Sequence, residues 1–261
     1  VSLTAPPRKR FVGVPLRMLL PNIVTLLALS AGVTAIRFVI EGSVEWAVMA
    51  IAAAAVLDGL DGRIARALKG TSRFGAELDS LADFIDFGVA PAIVLYVSGL
   101  RQLQGLGWLV CLLFVIACAL RLARFNVMID DPDIPAWRKG FFVGMPAPAG
   151  AVVGLAPIYL KVLVGAGEVA RGWVGLEAAY VLAIAMLMAS RVPHFSGKSI
   201  GRIPREYVAP ALIGVVAALL SIAYFPLEAL VALTGVYLAT IPFAIVRYRR
   251  QDAAARENGG G

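Results

Sequence analysis

Residues 56–88 read "VLDGLDGRIARALKGTSRFGAELDSLADFIDFG", and they decide how the whole chain is read. Five aspartates sit there, Asp58, Asp61, Asp79, Asp83 and Asp86, beside segments apolar enough to lie in a bilayer. An ionised carboxylate withdrawn from water is costly unless it is paired or metal-bound. With residues 56–68 as the end of a helix, Asp58, Asp61, Gly62, Ala65 and Arg66 fall within an arc of roughly 140°. "KGTSR", residues 69–73, reads as a turn. On the next helix Gly75, Asp79, Asp83 and Asp86 lie within roughly 80° of one another. A short link makes the two helices antiparallel neighbours, so their carboxylate faces can meet.

Facing carboxylates repel, and oxygen-only ligands suit hard divalent cations, Mg²⁺ or Mn²⁺. Two such ions would neutralise the cluster. Gly62, Ala65 and Gly75 leave room for a bulky ligand near the backbone. Arg66 offers a planar fork suited to phosphate. Together these features point to a diphosphate held across metal ions and set up for phosphoryl transfer. A single aspartate at a helix end is usually a solvated cap. Four on converging faces, interleaved with glycines between apolar helices, are not explained that way.

The rest of the chain supplies the setting. It has 261 residues, 60% of them hydrophobic, against roughly 45–50% for soluble domains. We expect an all-α integral membrane protein with about eight transmembrane helices, near residues 20–40, 44–60, 80–98, 106–124, 149–166, 172–190, 206–223 and 226–246. An even number places both termini on one side. Twenty of the 24 lysines and arginines then fall on one face, in five groups of four. These begin at Arg8, Arg63, Arg121, Arg191 and Arg247, and only Arg37, Arg101, Lys161 and Arg171 lie elsewhere. That bias makes the rich face, both termini and the aspartates cytoplasmic. We expect an interfacial N-terminal segment over 1–19, a catalytic transmembrane domain over 20–247 and a disordered tail over 248–261. The first apolar run is too long for a cleavable signal peptide. Cys111 and Cys118 are too far apart along a helix, roughly 10 Å, for a disulfide. The net charge of +7 follows topology and does not argue for nucleic acid. There is no phosphate-binding glycine loop, dinucleotide fingerprint or zinc spacing.

The segment Asp58-x2-Asp61-Gly62-x2-Ala65-Arg66-x8-Gly75-x3-Asp79-x3-Asp83 resembles the signature of the CDP-alcohol phosphatidyltransferase family, and every fixed position matches. "PNIVT", residues 21–25, resembles that family's approach to its first span. The resemblance implies a six-helix core, here with two helices added, a CDP-linked donor, Mg²⁺ or Mn²⁺, and displacement of CMP by an alcohol. It implies metal ligation by Asp58, Asp61, Asp79 and Asp83, with Asp83 also the general base. Gly62, Ala65, Arg66 and Gly75 would hold the CDP part, with Asn22 and Thr25 beside it. A helix cap after Pro21 is the competing reading for Asn22. A homodimer is likewise implied.

Four further stretches, "DFGVAPA" (86–92), "RLARFN" (121–126), "GMPAPAGA" (144–151) and "SRVPHFSGK" (190–198), resemble the branch of that family that uses L-serine. The expected reaction joins CDP-diacylglycerol and L-serine at the bilayer surface. Arg121 and Arg124 are candidates for the acceptor carboxylate or a phosphate, against plain interface anchoring. Asp86 is a candidate for the serine ammonium, against a supporting role behind the metal ligands. Lys198 is a candidate for phosphate, and His194, the sole histidine, reads as a loop residue. Glycerol phosphate or choline as acceptor are the in-family alternatives, phosphatidylglycerophosphate or phosphatidylcholine being the product. A cation-coupled transporter is the alternative from another class, since intramembrane carboxylates also mark ion pathways.

Overall fold

A computed structural model describes residues 16–68, 70, 72–129, 141–165, 171–195, 210, 214, 220–222 and 224–258. Helix α1 (Leu16–Ile40) and helix α2 (Val44–Ala67) form an antiparallel pair. Their turn is set by Gly42, at φ +83°. The Gly42 N–H donates to the Val39 carbonyl at 3.1 Å and the Ser43 N–H to Phe38 at 2.8 Å. These paired bonds are a Schellman cap, whose left-handed residue is best filled by glycine. The tight reversal brings the first turns of α1 beside the last turns of α2.

The next span is one rod with a break in it. Helix α3 (Arg73–Phe84) opens on Ser72, whose hydroxyl accepts the Gly75 N–H at 3.0 Å. A π-helical turn, Ile85–Val89, leads into α4 (Ala90–Ser98). Pro91 has no N–H to give to a carbonyl one turn back, so a regular α-helical ladder cannot run through it. The wider π turn lies directly before that point. A 3₁₀ turn (Leu100–Leu103) joins α4 to α5 (Gly105–Ile129). Helices α6 (Ala147–Gly154) and α7 (Ala156–Val164) share one apolar stretch interrupted at Leu155. Helix α8 (Arg171–Ala189) packs on α5, and α9 (Pro226–Asn258) packs on α7.

Six segments among the described residues are long and apolar enough to cross a membrane: Leu19–Ile40, Arg73–Ser98, Gly105–Met128, Ala147–Val164, Gly172–Ala189 and Pro226–Ala253. The chain is therefore a multi-pass membrane protein. Its outer surface fits that solvent, with Leu27, Ile116, Leu120, Met186 and Phe243 all exposed. Each of the six matches a span expected from sequence. Helix α2, expected as the second, is charged by Glu45, Asp58, Asp61, Arg63 and Arg66 and does not reach that apolarity. The expected span at 206–223 lies mostly outside the described residues.

Two features depart from the expectation from sequence. Strands β1 (Phe141–Val143) and β2 (Pro193–Phe195) pair antiparallel, with Phe142 opposite His194. The ribbon turns into α6 at Gly144, φ +81°, whose N–H donates to the Val192 carbonyl at 2.9 Å. A Cβ there would sit 2.8 Å from the carbonyl oxygens of Met188 and Ser190. Secondly, α9 runs on to Asn258, so residues 248–258 are helical where sequence suggested a disordered tail. Ala253, Ala254, Ala255, Arg256 and Glu257 are strong helix formers, which lets the span continue beyond its apolar part.

Candidate active site

The carboxylates converge where α2 ends and α3 begins. One oxygen from each of Asp58, Asp61 and Asp79 lies within 4.8 Å of the other two. Asp83, one turn beyond Asp79, comes within hydrogen-bonding reach of Asp58. The antiparallel packing derived from the short link is what brings them together.

Helix α1 supports this cluster from the side. The Thr25 hydroxyl donates to Asp61 Oδ2 at 2.7 Å, and the Pro21 carbonyl lies 3.1 Å from the same hydroxyl. Asn22 faces Gly75, where an added Cβ would meet its Oδ1 at 2.8 Å. Asn22 is not a cap, because α1 begins at Leu16 and Pro21 lies inside it. Gly75 therefore has a packing reason to be glycine: it lets α1 and α3 close together beside the carboxylates. At Gly62 an added Cβ would lie 3.5 Å from Arg66 Nη1, so the exposed guanidinium folds back across the glycine. Ala65 lies half-buried on the same helix end.

Asp86 lies in the π turn and is 1% exposed. Its Oδ1 has no hydrogen-bond partner. Gly32 of α1 packs directly against it, such that a Cβ there would stand 2.0 Å from that oxygen.

Helix α5 contributes from the opposite wall. Arg121 is 8% exposed, and its guanidinium feels the charges of Asp83 and Asp58. It lies over the Phe125 ring, 5.2 Å from the centroid. Among the described residues it makes no hydrogen bond or ion pair. Arg124 behaves differently. Its Nη1 donates to the Ala189 and Ser190 carbonyls, both at 2.9 Å, and so caps the end of α8. Asn126 Nδ2 donates to Ser80 Oγ at 2.9 Å and ties α5 to α3. Of two arginines that read alike in sequence, one faces the carboxylates and the other closes a helix end. Lys198 lies outside the described residues.

His194 is not the loop residue expected from sequence. It sits in β2, is 2% exposed, and stacks on Tyr237 of α9 at 5.9 Å and 13°. A carbonyl only accepts, so His194 Nδ1 carries the hydrogen shared with the Val192 carbonyl at 2.9 Å. Burial holds the imidazole below its ordinary value, partly offset by that bond. Neutral, with Nδ1 protonated, it presents a bare Nε2, which is buried and has no partner. The Tyr237 hydroxyl is also buried and unpartnered, and it lies within electrostatic reach of Arg121. Sequence reasoning missed Tyr237 because nothing in the pattern of α9 distinguishes it from a packing aromatic.

The donor set decides which metal this cluster suits. Every ligand in the converging group is a carboxylate oxygen, and the three lie within one ion's reach. Arg121 is the one buried cation among the described residues beside five aspartates, so the negative charge is undercompensated by protein alone. A hard divalent cation fits both the atoms and the charge.

Comparison with known proteins agrees. Residues 18–192, which run from α1 to just past the end of α8, match the family model for CDP-alcohol phosphatidyltransferase. The chain is 44% identical over 249 residues to the CDP-diacylglycerol–serine O-phosphatidyltransferase of Mycobacterium leprae, covering 95% of this chain and 80% of that protein. The Mycobacterium tuberculosis (strain H37Rv) protein of the same name is 44% identical over 234 residues, 89% of this chain and 80% of its own. The Helicobacter pylori (strain J99) protein of that name is 32% identical over 233 residues, 88% and 91% of the two chains. The match spans the carboxylate cluster and the helices that build it, and the chain belongs to the CDP-alcohol phosphatidyltransferase family.

Proposed function

We propose that this protein is a phosphatidylserine synthase, which transfers the phosphatidyl group of CDP-diacylglycerol to the hydroxyl of L-serine and releases CMP. The observation that carries the reading is the convergence of Asp58, Asp61 and Asp79 on one point between α2 and α3. The acceptor is supported by relatives 32–44% identical that carry the serine-transferase name.

Asp58, Asp61, Asp79 and Asp83 would hold Mg²⁺ or Mn²⁺, two ions in all. Bound there, such ions neutralise the diphosphate and make CMP a better leaving group. The protein groups divide the remaining work. Arg66, folded over Gly62 at the exposed end of α2, takes a donor phosphate. Gly62 and Ala65 keep the end of α2 small beside the CDP moiety, and Gly75 lets Asn22 reach in from α1. Asn22 and Thr25 fix Gly75 and Asp61 in place beside it. Asp83 accepts the proton of the serine hydroxyl. The serine oxygen then forms its bond to the phosphorus that carries diacylglycerol. The bond from that phosphorus to the CMP oxygen breaks, and the electron pair leaves with CMP. Arg121 binds the serine carboxylate by its planar fork, while Arg124 holds the α8 terminus.

The same reading sets the protein in the cytoplasmic membrane as eight spans with both termini and the carboxylates inside, supported by the clustering of basic residues. The acyl chains stay in the bilayer and serine arrives from water. Two copies pair as a homodimer, as the family resemblance implies. The test is CMP release by purified protein from CDP-diacylglycerol with L-serine, glycerol-3-phosphate, inositol phosphate or choline, with Mn²⁺ or Mg²⁺ and with chelator. Metal-dependent turnover with serine alone is expected. Turnover with another acceptor instead would keep the site and overturn the acceptor.

A further inference from the structure

Asp86 is outside the family signature and outside the group of converging metal-site oxygens. It is nevertheless the most deeply buried of the five aspartates, at 1% exposure. Two features of the fold hold it there. The π turn Ile85–Val89 directs it into the bundle. Helix α1 covers it at Gly32, where a methyl group would overlap Oδ1 at 2.0 Å and crowd Cγ at 2.8 Å. Among the described residues no donor reaches Oδ1. The charge that acts on Asp86 is that of Asp58, another carboxylate. Arg121, the buried guanidinium, acts on Asp83 and Asp58 and not on Asp86.

A desolvated carboxylate with carboxylate neighbours and no donor is strongly disfavoured unless a cation arrives. The position of Asp86 suggests which cation. It lies one turn beyond Asp83 in the same rod, within reach of the Asp58 charge, so the two carboxyls follow one another along the rod. In L-serine the ammonium is on the carbon next to the one bearing the hydroxyl. A hydroxyl presented to Asp83 therefore carries its ammonium to an adjacent position. An ammonium is a compact point charge with three donors and needs no coordination sphere.

We propose that Asp86, seated in the Gly32 notch, reads the ammonium of the acceptor and sets the preference for an amino alcohol over an otherwise identical hydroxy acid. This rests on the synthase reading above. It gives the acceptor three points of contact: hydroxyl at Asp83, ammonium at Asp86 and carboxylate at Arg121. Asp86 acts on specificity, and Gly32 is a positioning residue that works through it.

The test compares L-serine with glycerate, which replaces the ammonium by a hydroxyl, at saturating CDP-diacylglycerol. Wild-type protein is expected to favour serine by at least a hundredfold in kcat/KM. Asp86→Asn should raise the serine KM at least tenfold, leave the CDP-diacylglycerol KM within twofold, and shrink the serine-to-glycerate preference at least tenfold. Gly32→Ala should shift the same ratio in the same direction, because the methyl displaces the carboxylate. Wild-type protein that uses glycerate within threefold of serine would overturn the proposal without any variant having to fold. So would Asp86→Asn lowering both acceptors equally, or raising the Mn²⁺ requirement with the acceptor ratio intact, which would place Asp86 with the metal ligands. Absence of serine-dependent CMP release by the wild type would overturn the synthase reading itself, a distinct result.

Discussion

Two buried carboxylates lie along the α3–α4 rod, one at its middle and one beside its far end, and each is packed against a glycine. Near the reaction centre, Asp86 rests on Gly32. At the far end, Glu177 of α8 is 3% exposed and rests on Gly99, where a Cβ would come within 2.8 Å of its Oε2. The resemblance ends with the partner. Glu177 Oε2 forms a salt bridge with Lys161 of α7, and only its second oxygen is left bare. Among the described residues Asp86 has no cation. Both sites bury charge, but at Glu177 the chain balances the charge itself, so the pair ties α7, α8 and the end of α4 together. At Asp86 the charge awaits something from outside. Burial alone does not separate a structural acid from a functional one; the presence of a matched charge does.

The largest effect expected lies on the functional side. Asp83→Asn removes the base, and kcat should fall by about 10²–10⁴. Chelator should abolish turnover in the wild type. The variant should melt no lower than the wild type, since one of several mutually repelling carboxylates has become neutral. A sharp loss of stability would mean that the cluster is a structural element.

On the structural side, Lys161→Met leaves Glu177 in the condition of Asp86, buried and unmatched. It should cost about 3 kcal/mol in a denaturation experiment, with the serine KM unchanged. The double change Lys161→Met with Glu177→Leu should recover most of that loss, because an apolar pair suits the site as well as an ion pair. If the double variant were as unstable as the single, the pair would be contributing more than charge balance.

The glycines sharpen the contrast further. Gly99→Ala pushes a methyl toward Glu177 Oε2 and Lys161 Nζ, and should cost about 1–3 kcal/mol of stability with little effect on serine use. Gly32→Ala should do the reverse, altering acceptor preference more than the melting point. Equal loss of stability in both would erase the distinction drawn between the two sites.

This contrast also marks how far the sequence could be read. Asp58, Asp61, Asp79 and Asp83 were legible because helical spacing and a five-residue link determine which faces meet. The six apolar spans were legible for the same local reason. Asp86 could be placed on the right face, but its burial depends on Gly32, far away on α1, and on a π turn before Pro91. Arg121 and Arg124 are equivalent by spacing. Only the position of the α8 terminus separates them, and that is a tertiary fact. His194 looked like part of a loop because β2 is three residues long and is made by pairing with β1, some fifty residues earlier.

The smallest effect expected concerns the groups that sequence did not reveal. His194 and Tyr237 stack, with Tyr237 within reach of Arg121, and each has a buried polar atom that no described group satisfies. If they only support Arg121, the change Tyr237→Phe should be nearly silent in stability, because it removes an unpartnered hydroxyl and keeps the ring. Any cost should then appear as a rise of a few-fold in the serine KM. His194→Ala should lose the stack as well, about 0.5–1.5 kcal/mol in stability, with a similar rise in KM. A fall in kcat of a hundredfold or more in Tyr237→Phe would give the phenol a direct part in the transfer. It would then belong beside Asp83, and the functional end of the molecule would extend across to α9.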